Sequence, residues 1–368
     1  MNELAERMKA LFETRYDLGK VVAIEQFTVG AHNKSFGIVA EKDGIQKEWF
    51  GRRYVPKKEE QEIVYEHALL QYIKERDPQL VAAPMENREG KTFFRAEGED
   101  QKPYYYAVFE YLKGDENEYS WIYNRIPDKM FLSAAKGTAR YHCSSYGFVP
   151  PEGSGRIAED TFPFMRTWYD FMTSALEEMR SDRRTKLYTD YMLTQMDLFG
   201  EEVQRVLEME RRMDQLPRTT IHQDIQISNF KYTDDEVTGI FDFDWAMEGE
   251  RLYDVAYATK SFCSAPWDWD IIGETDLTKV ARFLQAYNDE MKRKNCPLGG
   301  LCEAEMEMLP LMIQAGCLRV VYDFVDEFYH DRSLNVFQYF VYANRYCKSM
   351  KFLRDHHEDL VRIAASLR

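Results

Sequence analysis

The chain has 368 residues, of which 45% are hydrophobic and 30% charged, and its formal net charge is −15 at pH 7. These proportions are ordinary for globular proteins, so they argue against a disordered or fibrous class. The acidic balance disfavours nucleic acids and anionic membranes as partners and tolerates cationic small molecules, although acidity is also a common route to solubility.

Cysteines and the N-terminus indicate the compartment. The six cysteines include no C-x-x-C pair and no neighbouring histidine at zinc spacing, which is typical of reduced, mostly buried thiols. The first sixteen residues carry charges where a signal peptide would need an apolar core. No apolar run approaches transmembrane length. The sequence therefore predicts a soluble cytoplasmic protein.

The N-terminal third has the pattern of a small sheet with two helices. The predicted elements are a helix over 2–16, strands over 21–28, up to Ala40 and over 46–54, a helix over 58–75, and strands over 92–96 and 104–109. Gly30 and Gly37 flank the loop between the first two strands, and Asp43-Gly44 forms the next turn.

Beyond Asp115 the composition becomes helical and rich in Met, Tyr and Leu. Helices are predicted over 128–141, near 161–180, over 185–213 and over 306–328, with a Gly- and Pro-containing loop at 145–157. Pro217 ends the helical insert just before the segment that carries the polar motifs.

The segment from Thr220 to Asp254 concentrates residues suited to chemistry. His222, Asp224 and Asn229 spell H-x-D-x-x-x-x-N, the spacing of a kinase catalytic loop. Asp242 follows after a turn, in the place of the metal-binding Asp of a D-F-G element. Phosphoryl transfer needs carboxylate and amide oxygens for Mg²⁺ and a carboxylate that orients the attacking hydroxyl. An Asp and an Asn five apart are also common turn residues, but the neighbouring motifs argue against coincidence.

In this order, H-x-D-x-x-x-x-N, Ile-Phe-Asp-Phe-Asp and Leu-Tyr-Asp-Val-Ala resemble the aminoglycoside phosphotransferase and homoserine or choline kinase family. Protein kinases match less well, because nothing resembles an Asp-Phe-Gly followed by an activation segment ending in Ala-Pro-Glu. The resemblance implies an α+β, two-lobed protein-kinase-like fold, with an antiparallel-sheet N-terminal lobe (1–110) and a mostly helical C-terminal lobe (111–368). It also implies an ATP-dependent, Mg²⁺-using phosphotransferase that acts on a hydroxyl of a small metabolite.

The resemblance also assigns roles to residues. Asp224 is the candidate catalytic base, Asn229 and Asp242 are candidate metal ligands, and Asp254 orients the catalytic loop. Candidate nucleotide-binding residues are Gly30, Asn33 and Ser35 over the phosphates, Arg52 or Arg53 on the third strand, Glu66 as ion-pair partner of that Arg, and Glu110 and Leu112 at the hinge.

The strand period of two allows only one of the adjacent arginines to face the cleft. An apolar-apolar-Arg pattern favours Arg52, whereas Gly51, as the small residue two positions earlier, would select Arg53. A solvated strand charge is the other interpretation for either residue.

The acceptor is left open among homoserine, choline or ethanolamine, hydroxylysine, a sugar and an aminoglycoside, with the acidic charge favouring an amine-bearing alcohol. Trp267 and Trp269 are candidates for binding a cationic acceptor, and 321–323 for the pocket mouth. Asp244 is assigned to a second Mg²⁺, to the acceptor or to solvent. The alternative function is a non-catalytic kinase-like nucleotide-binding or structural protein, and the oligomeric state is unknown.

Overall fold

The computed structural model describes residues 3–27, 33–115, 126–156, 161–265 and 270–367. The N-terminal part is an antiparallel five-stranded sheet in the order β1-β2-β3-β5-β4. Its elements are α1 (Glu3–Arg15), β1 (Lys20–Phe27), β2 (Lys34–Lys42), β3 (Ile45–Arg53), α2 (Glu60–Arg76), β4 (Phe93–Glu97) and β5 (Pro103–Glu110).

The remainder is mostly helical. Its helices are α3 (Asp128–Ser145), α4 (Thr161–Met179), α5 (Lys186–Leu193), α6 (Met196–Met209), α7 (Arg251–Phe262), α8 (Leu277–Arg293), α9 (Glu303–His330), α10 (Val336–Asp355) and α11 (His357–Ala365). Two antiparallel ribbons carry the polar motifs: β6 (Arg218–Ile221) pairs with β9 (Met247–Glu250), and β7 (Phe230–Thr233) pairs with β8 (Glu236–Ile240). This architecture confirms the predicted α+β, two-lobed class.

One predicted helix is wrong. The segment 185–213 forms α5 and α6, followed by a 3₁₀ helix at Glu210–Gln215. The break lies at Thr194, whose hydroxyl donates to the carbonyl of Tyr191 at 2.6 Å. The next N–H, that of Gln195, donates to Met192, which is a three-residue spacing. A hydroxyl that bonds its own turn competes with the regular α-helical pattern.

Two hydrophobic clusters hold the fold. The smaller one packs α1 on one face of the sheet and includes Phe12 and Ile38. Gly51 on β3 makes this contact possible, because a Cβ there would lie 2.7 Å from the Phe12 ring. The larger cluster joins α2 and β5 to the C-terminal helices as far as α11. A continuous core therefore connects the sheet to the helical lobe.

One element departs from the expected absence of membrane-length segments. Among the described residues, α9 is long and apolar enough to cross a membrane by length and composition. In its most apolar window, however, 72% is buried inside the protein, as in the core helix of a globular protein. All six cysteines lie in the described residues and are free thiols.

Candidate active site

A buried carboxylate holds the loop that follows β6. Asp254, near the start of α7, is fully buried and accepts the backbone N–H groups of His222 and Gln223 at 2.7 and 2.8 Å. His142 of α3 contacts the same carboxylate through Nε2 at 3.1 Å, and its Nδ1 lies 2.7 Å from the Tyr287 hydroxyl. Three helices thus fix the loop that presents Asp224.

Gln223 carries local strain in this loop. Its φ of 67° is in the left-handed region. This conformation costs a non-glycine residue free energy, so it persists only where contacts with the surrounding structure maintain it. Gln223 donates from Nε2 to the carbonyl of Trp245 at 3.0 Å, and its Oε1 accepts from Arg319 at 2.9 Å. Both contacts therefore position the residue that immediately precedes Asp224.

The carboxylate of Asp224 is oriented by amides. Asn229 donates from Nδ2 to Oδ2 of Asp224 at 2.7 Å and to the Asp224 carbonyl at 2.9 Å. Gln226 donates to the same Oδ2 at 2.9 Å. Because Asn229 uses its amide nitrogen in this way, its amide oxygen, the atom suited to a divalent cation, has no hydrogen bond to another described residue.

Asp242 follows the β7–β8 ribbon and lies next to this loop. The N–H of Phe241 donates to the carbonyl of Asn229 at 3.0 Å, and His222 Nε2 contacts the Phe241 carbonyl at 3.0 Å. Asp242 itself has φ 67° and ψ 62°, and 42% of its side chain is exposed. Its removal from bulk water and the facing Asp244 raise the pKa of Asp242 to about 6, with Arg52 opposing. The structure brings Asp224, Asn229 and Asp242 together.

Arg52 reaches this group from the sheet. Its guanidinium contacts Glu66 of α2 at 2.9 Å, Asp244 at 3.4 Å and Asp242 at 3.9 Å. Glu66 is buried, and burial raises the pKa of its carboxyl to about 7 against the opposing effect of Arg52. The expected strand-to-helix ion pair is therefore present between Arg52 and Glu66.

Assigning Arg53 to the cleft is wrong. Its guanidinium pairs with the exposed Glu99 at 2.5 Å and lies 4.5 Å from the centre of the Tyr104 ring. The neighbouring Gly51 faces the same side of β3 and is small because Phe12 of α1 packs on it. The small residue two positions before Arg53 is thus explained by the packing of α1 on the sheet and does not indicate a nucleotide site.

Asp244 binds the N-terminal lobe instead of facing solvent. It accepts from Nδ2 of Asn33 and contacts Arg52, and Nζ of Lys58 lies 3.5 Å from its Oδ1. Burial opposes its ionisation, but Arg52 and Lys58 hold the pKa of Asp244 below its usual value. Asn33 is fixed in turn, because its Oδ1 accepts the N–H of Val55 at 3.1 Å.

Other predicted nucleotide-side residues surround this network. Ser35 of β2 is half-buried and pairs in register with Arg52 of β3. β5 ends at Glu110, whose carboxylate contacts Lys74 at 2.6 Å. Leu112 lies over the β7–β8 ribbon, since a Cβ on Gly239 would meet it at 2.9 Å. Gly30 is outside the described residues.

Beyond Asp224, away from the sheet, lies a surface lined by α7, α9 and Trp245. Trp245 is 38% exposed, and the guanidinium carbons of Arg156 and Arg319 lie 3.8 and 4.9 Å from the centre of its ring system. Tyr257 of α7 belongs to this surface, and burial, and then Asp224, raise the pKa of its hydroxyl well above the usual value. We call this surface the distal wall; Lys260 of α7 also belongs to it.

Several of these residues escaped the sequence analysis. Lys58 sits in a run of lysines and glutamates before α2, where no periodicity marks it. The sequence could have indicated Arg319, because it is the only charged residue between Met308 and Tyr322, in a segment otherwise typical of a buried helix. In the segment 321–323, Val321 is buried, Tyr322 stacks on Trp168 at 4.9 Å, and only Asp323 has a substantially exposed side chain. Trp267 and Trp269 are outside the described residues.

Comparisons with known proteins agree with this geometry. The family model described as "Phosphotransferase enzyme family" matches residues 23–292. The homoserine kinases of Bradyrhizobium diazoefficiens and Agrobacterium fabrum are 22% and 23% identical over 309 residues, which cover 84% of this chain and 80% and 81% of theirs.

Solved structures show the same fold. A microcompartment-associated aminopropanol kinase has a TM-score of 0.67 at 16% identity, covering 97% of this chain and 99% of the other. A spectinomycin phosphotransferase in complex with ADP and spectinomycin has a TM-score of 0.63 at 13% identity, covering 100% and 99%.

Proposed function

Since this chain belongs to the phosphotransferase enzyme family, we propose that its cleft binds ATP and transfers phosphate to a hydroxyl that Asp224 orients. The chain is a small-molecule kinase, an O-phosphotransferase, and its acceptor is a small molecule. One observation carries the residue assignment: Asp224 and Asn229 of the loop after β6 meet Asp242 of the segment after β8 beside Arg52.

The donor set fits Mg²⁺. Hard cations prefer carboxylate and amide oxygens, and Asp242 and Asn229, whose segments are joined by the Phe241 N–H bond to the Asn229 carbonyl, offer one of each. These two residues would hold the ion, which when bound neutralises charge on the phosphate oxygens. The histidine, cysteine and carboxylate side chains of the described residues form no three-membered metal cluster.

Asp224 has the geometry of the acceptor-side base. Its Oδ2 is held by Asn229 and Gln226, and the strained Gln223 fixes the turn before it. The carboxylate would accept a hydrogen bond from the acceptor hydroxyl and take its proton late in an in-line transfer. Pre-oriented groups of this kind need little rearrangement at the moment of reaction.

The nucleotide would lie between the lobes that we place at 1–110 and 111–368. Its phosphates would contact Arg52 under the segment of Asn33 and Ser35, and the Glu66 pair would hold Arg52 in place. Adenine would bind backbone groups between Glu110 and Leu112. Gly30 remains a sequence prediction, and Arg53 has no part in this proposal.

Names of similar proteins support an amino-alcohol or amino-acid acceptor. The curated relatives are named homoserine kinase, and the solved structures include an aminopropanol kinase. A non-catalytic role is disfavoured, because the loop keeps the carboxylates and the amide in contact. We further propose a cytoplasmic location.

ADP release on a panel of small alcohols tests this function. We expect release with at least one acceptor, and Asp224→Asn should lower kcat by about 10² to 10⁴ if the carboxylate is a general base. Asp235→Asn, in the exposed turn between β7 and β8, is the matched control and should leave kcat unchanged. MgATP binding without turnover on any acceptor, or a loss below tenfold for folded Asp224→Asn, would count against the assignment.

A further inference from the structure

The distal wall holds a buried lysine whose ammonium forms no ion pair with a carboxylate of the described residues. Lys260 is 6% exposed, and its Nζ lies 3.8 Å from the centre of the Tyr257 ring and 5.1 Å from that of Tyr346. No carboxylate of the described residues lies within 4 Å of Nζ. Two ring faces offset only part of the cost of removing an ammonium from water.

Arg319 brings a second cation to the same surface. Lys260 packs on Gly316 of α9, where a Cβ would meet its Cδ at 3.8 Å, and Arg319 lies one helical turn further on. The Arg319 guanidinium contacts Gln223, the residue before Asp224. Lys260 and Arg319 therefore lie along the α7–α9 contact on the side of the acceptor base.

Carboxylates of α9 lie beside these cations as well. Asp323 lies 3.7 Å from Arg319, and 46% of its side chain is exposed. Partial burial raises the pKa of Asp323 to about 6, with Arg319 and Lys260 opposing this rise and Glu327 and Asp326 adding to it. Asp323 pairs with Arg319, so Lys260 is the cation of the wall that lacks an ion-pair partner among the described residues.

We propose that the acceptor carries a carboxylate, which Lys260 and Arg319 bind while Asp224 receives the hydroxyl. The cations would supply charge-assisted hydrogen bonds, and a buried polar group such as Lys260 discriminates strongly against a ligand that leaves it unpaired. The exposed Asp323 leaves room for an ammonium on the same molecule, so the class is a hydroxy amino acid rather than a simple amino alcohol. This rests on the proposed kinase function and narrows the amine-bearing alcohols that the overall acidity favoured to those that also carry a carboxylate.

Matched acceptor pairs test the proposal directly. Serine and ethanolamine, threonine and 1-amino-2-propanol, and homoserine and 3-amino-1-propanol each differ only by a carboxylate. We expect the carboxylated member of the productive pair to have a kcat/KM at least about 10-fold higher, as one charge-assisted contact provides. A preference for the decarboxylated member, or none, would overturn the proposal while leaving the kinase function intact.

Variants of Lys260 and Arg319 test whether these two residues produce the preference for the carboxylated acceptor. Lys260→Met should reduce the within-pair preference by about 10- to 100-fold, and Arg319→Gln should reduce the same ratio although it also disturbs Gln223. Lys351→Met, on the exposed face of α10, is the matched control and should keep the wild-type ratio. An unchanged ratio in folded Lys260→Met would contradict the assignment.

A binding measurement distinguishes failure of the proposed kinase function from failure of the proposed carboxylate site. If no acceptor is phosphorylated, the proposed function is wrong, and calorimetric titration of the same pairs against the wild type with MgADP still decides the carboxylate question. Selective binding of the carboxylated member, lost in Lys260→Met, supports the site. Equal or absent binding of both members overturns it.

Discussion

Arg52 and Arg53 are neighbours on β3, yet their side chains serve opposite faces of the sheet. Arg52 contacts Glu66, Asp242 and Asp244 in the cleft, whereas Arg53 pairs with the exposed Glu99. Side chains alternate along a strand, so two identical residues can have unrelated functions. This pair therefore offers an internal control for the nucleotide site.

Replacing Arg52 tests its contact with phosphate. Arg52→Met should lower kcat/KM for MgATP by about 10- to 150-fold, the equivalent of one charge-assisted hydrogen bond of about 1.5–3 kcal/mol. Arg53→Met keeps the packing on Tyr104 and should change kcat/KM less than about threefold, because Arg53 lies on the face of β3 opposite the cleft. Steady-state kinetics on variants with matched circular dichroism compares them. Equal losses in both variants would contradict the orientation.

His67 is the second residue with a measurable consequence. It is 2% exposed, Nε2 lies 2.9 Å from the Tyr54 hydroxyl, and Nδ1 lies 2.7 Å from the Thr92 hydroxyl. A neutral imidazole has one donor and one acceptor, which suits two hydroxyl partners. Burial, and then Arg52 and Lys58, lower the pKa of His67 to about 3.

Stability should accordingly depend on pH through His67. Between pH 6.5 and about 3 the unfolded chain binds a proton that the folded chain does not, so the free energy of unfolding falls as the pH falls. The difference between wild type and His67→Gln should shrink by about 2 kcal/mol from pH 6.5 to 5. Urea unfolding at each pH measures it. A difference that stays constant across this range would mean that folding does not shift the pKa of His67.

At the residue scale, the spacing within one loop predicts which side chains lie together. Asp224 and Asn229 are five residues apart, so local backbone geometry alone brings their side chains into contact. Lys58 and Lys260 acquire their surroundings from elements far along the chain. No local pattern contains that information.

At the scale of elements, one buried ion pair anchors the helices that carry the distal wall. Arg251 at the start of α7 binds Glu305 at the start of α9 through two contacts of 2.6 Å, and both side chains are fully buried. The same guanidinium donates to the carbonyls of Gly299 and Gly300. The pair thus sets the spacing between Lys260 and Arg319.

Breaking this pair should be costly. Glu305→Gln leaves a buried guanidinium without its counter-charge and should lower the free energy of unfolding by about 3–5 kcal/mol. Glu307→Gln, which removes an exposed partner of Arg212 two residues away, should cost under about 1 kcal/mol. Urea titrations followed by circular dichroism compare the two variants. A similar small loss in both would show that the buried charge is compensated elsewhere.

Element boundaries followed from periodicity where packing and local preference agree. The predicted strand over 46–54 is β3 at Ile45–Arg53, and the predicted helix over 58–75 is α2 at Glu60–Arg76. The break between α5 and α6 was not predicted, because the apolar repeat continues across it. The break is visible only in two hydrogen bonds, one from the Thr194 hydroxyl and one from the Gln195 N–H at a three-residue spacing. A hydropathy pattern carries no information about such bonds.

At the scale of the whole molecule, Asp244 joins the lobes. Asn33, Arg52 and Lys58 approach it from the N-terminal side, while Asp244 itself follows the β7–β8 ribbon. Nucleotide phosphates would compete with this carboxylate for Arg52. The contact therefore stabilises one relative placement of the lobes in the absence of nucleotide.

Hydrogen exchange tests this contact. Asp244→Asn should speed amide exchange in β1 and β2 about tenfold, which corresponds to about 1.4 kcal/mol, without altering α9. Asp17→Asn removes an exposed partner of Lys42 at the far end of β2 and should have little effect. Exchange that rises equally in α9, or not at all in the two strands, would contradict a role in joining the lobes.

Fold class was predictable at this scale because the order of motifs along the chain reflects the order of elements in space. The distal wall was not, since Trp245, Tyr257, Lys260 and Arg319 come from three separate segments. The overall acidity favoured an amine on the acceptor and gave no sign of a carboxylate. Net charge describes the surface as a whole, whereas a binding site depends on the few groups that face it.

The stacking of arginines on Trp245 has a practical consequence. An indole beside two guanidinium groups, with 38% of its surface open, emits light whose wavelength and intensity depend on its immediate neighbours. A small molecule entering beside Asp224 would alter those neighbours. The difference in fluorescence between the wild type and Trp245→Phe would then report occupancy in real time, without a coupled assay and before any turnover occurs.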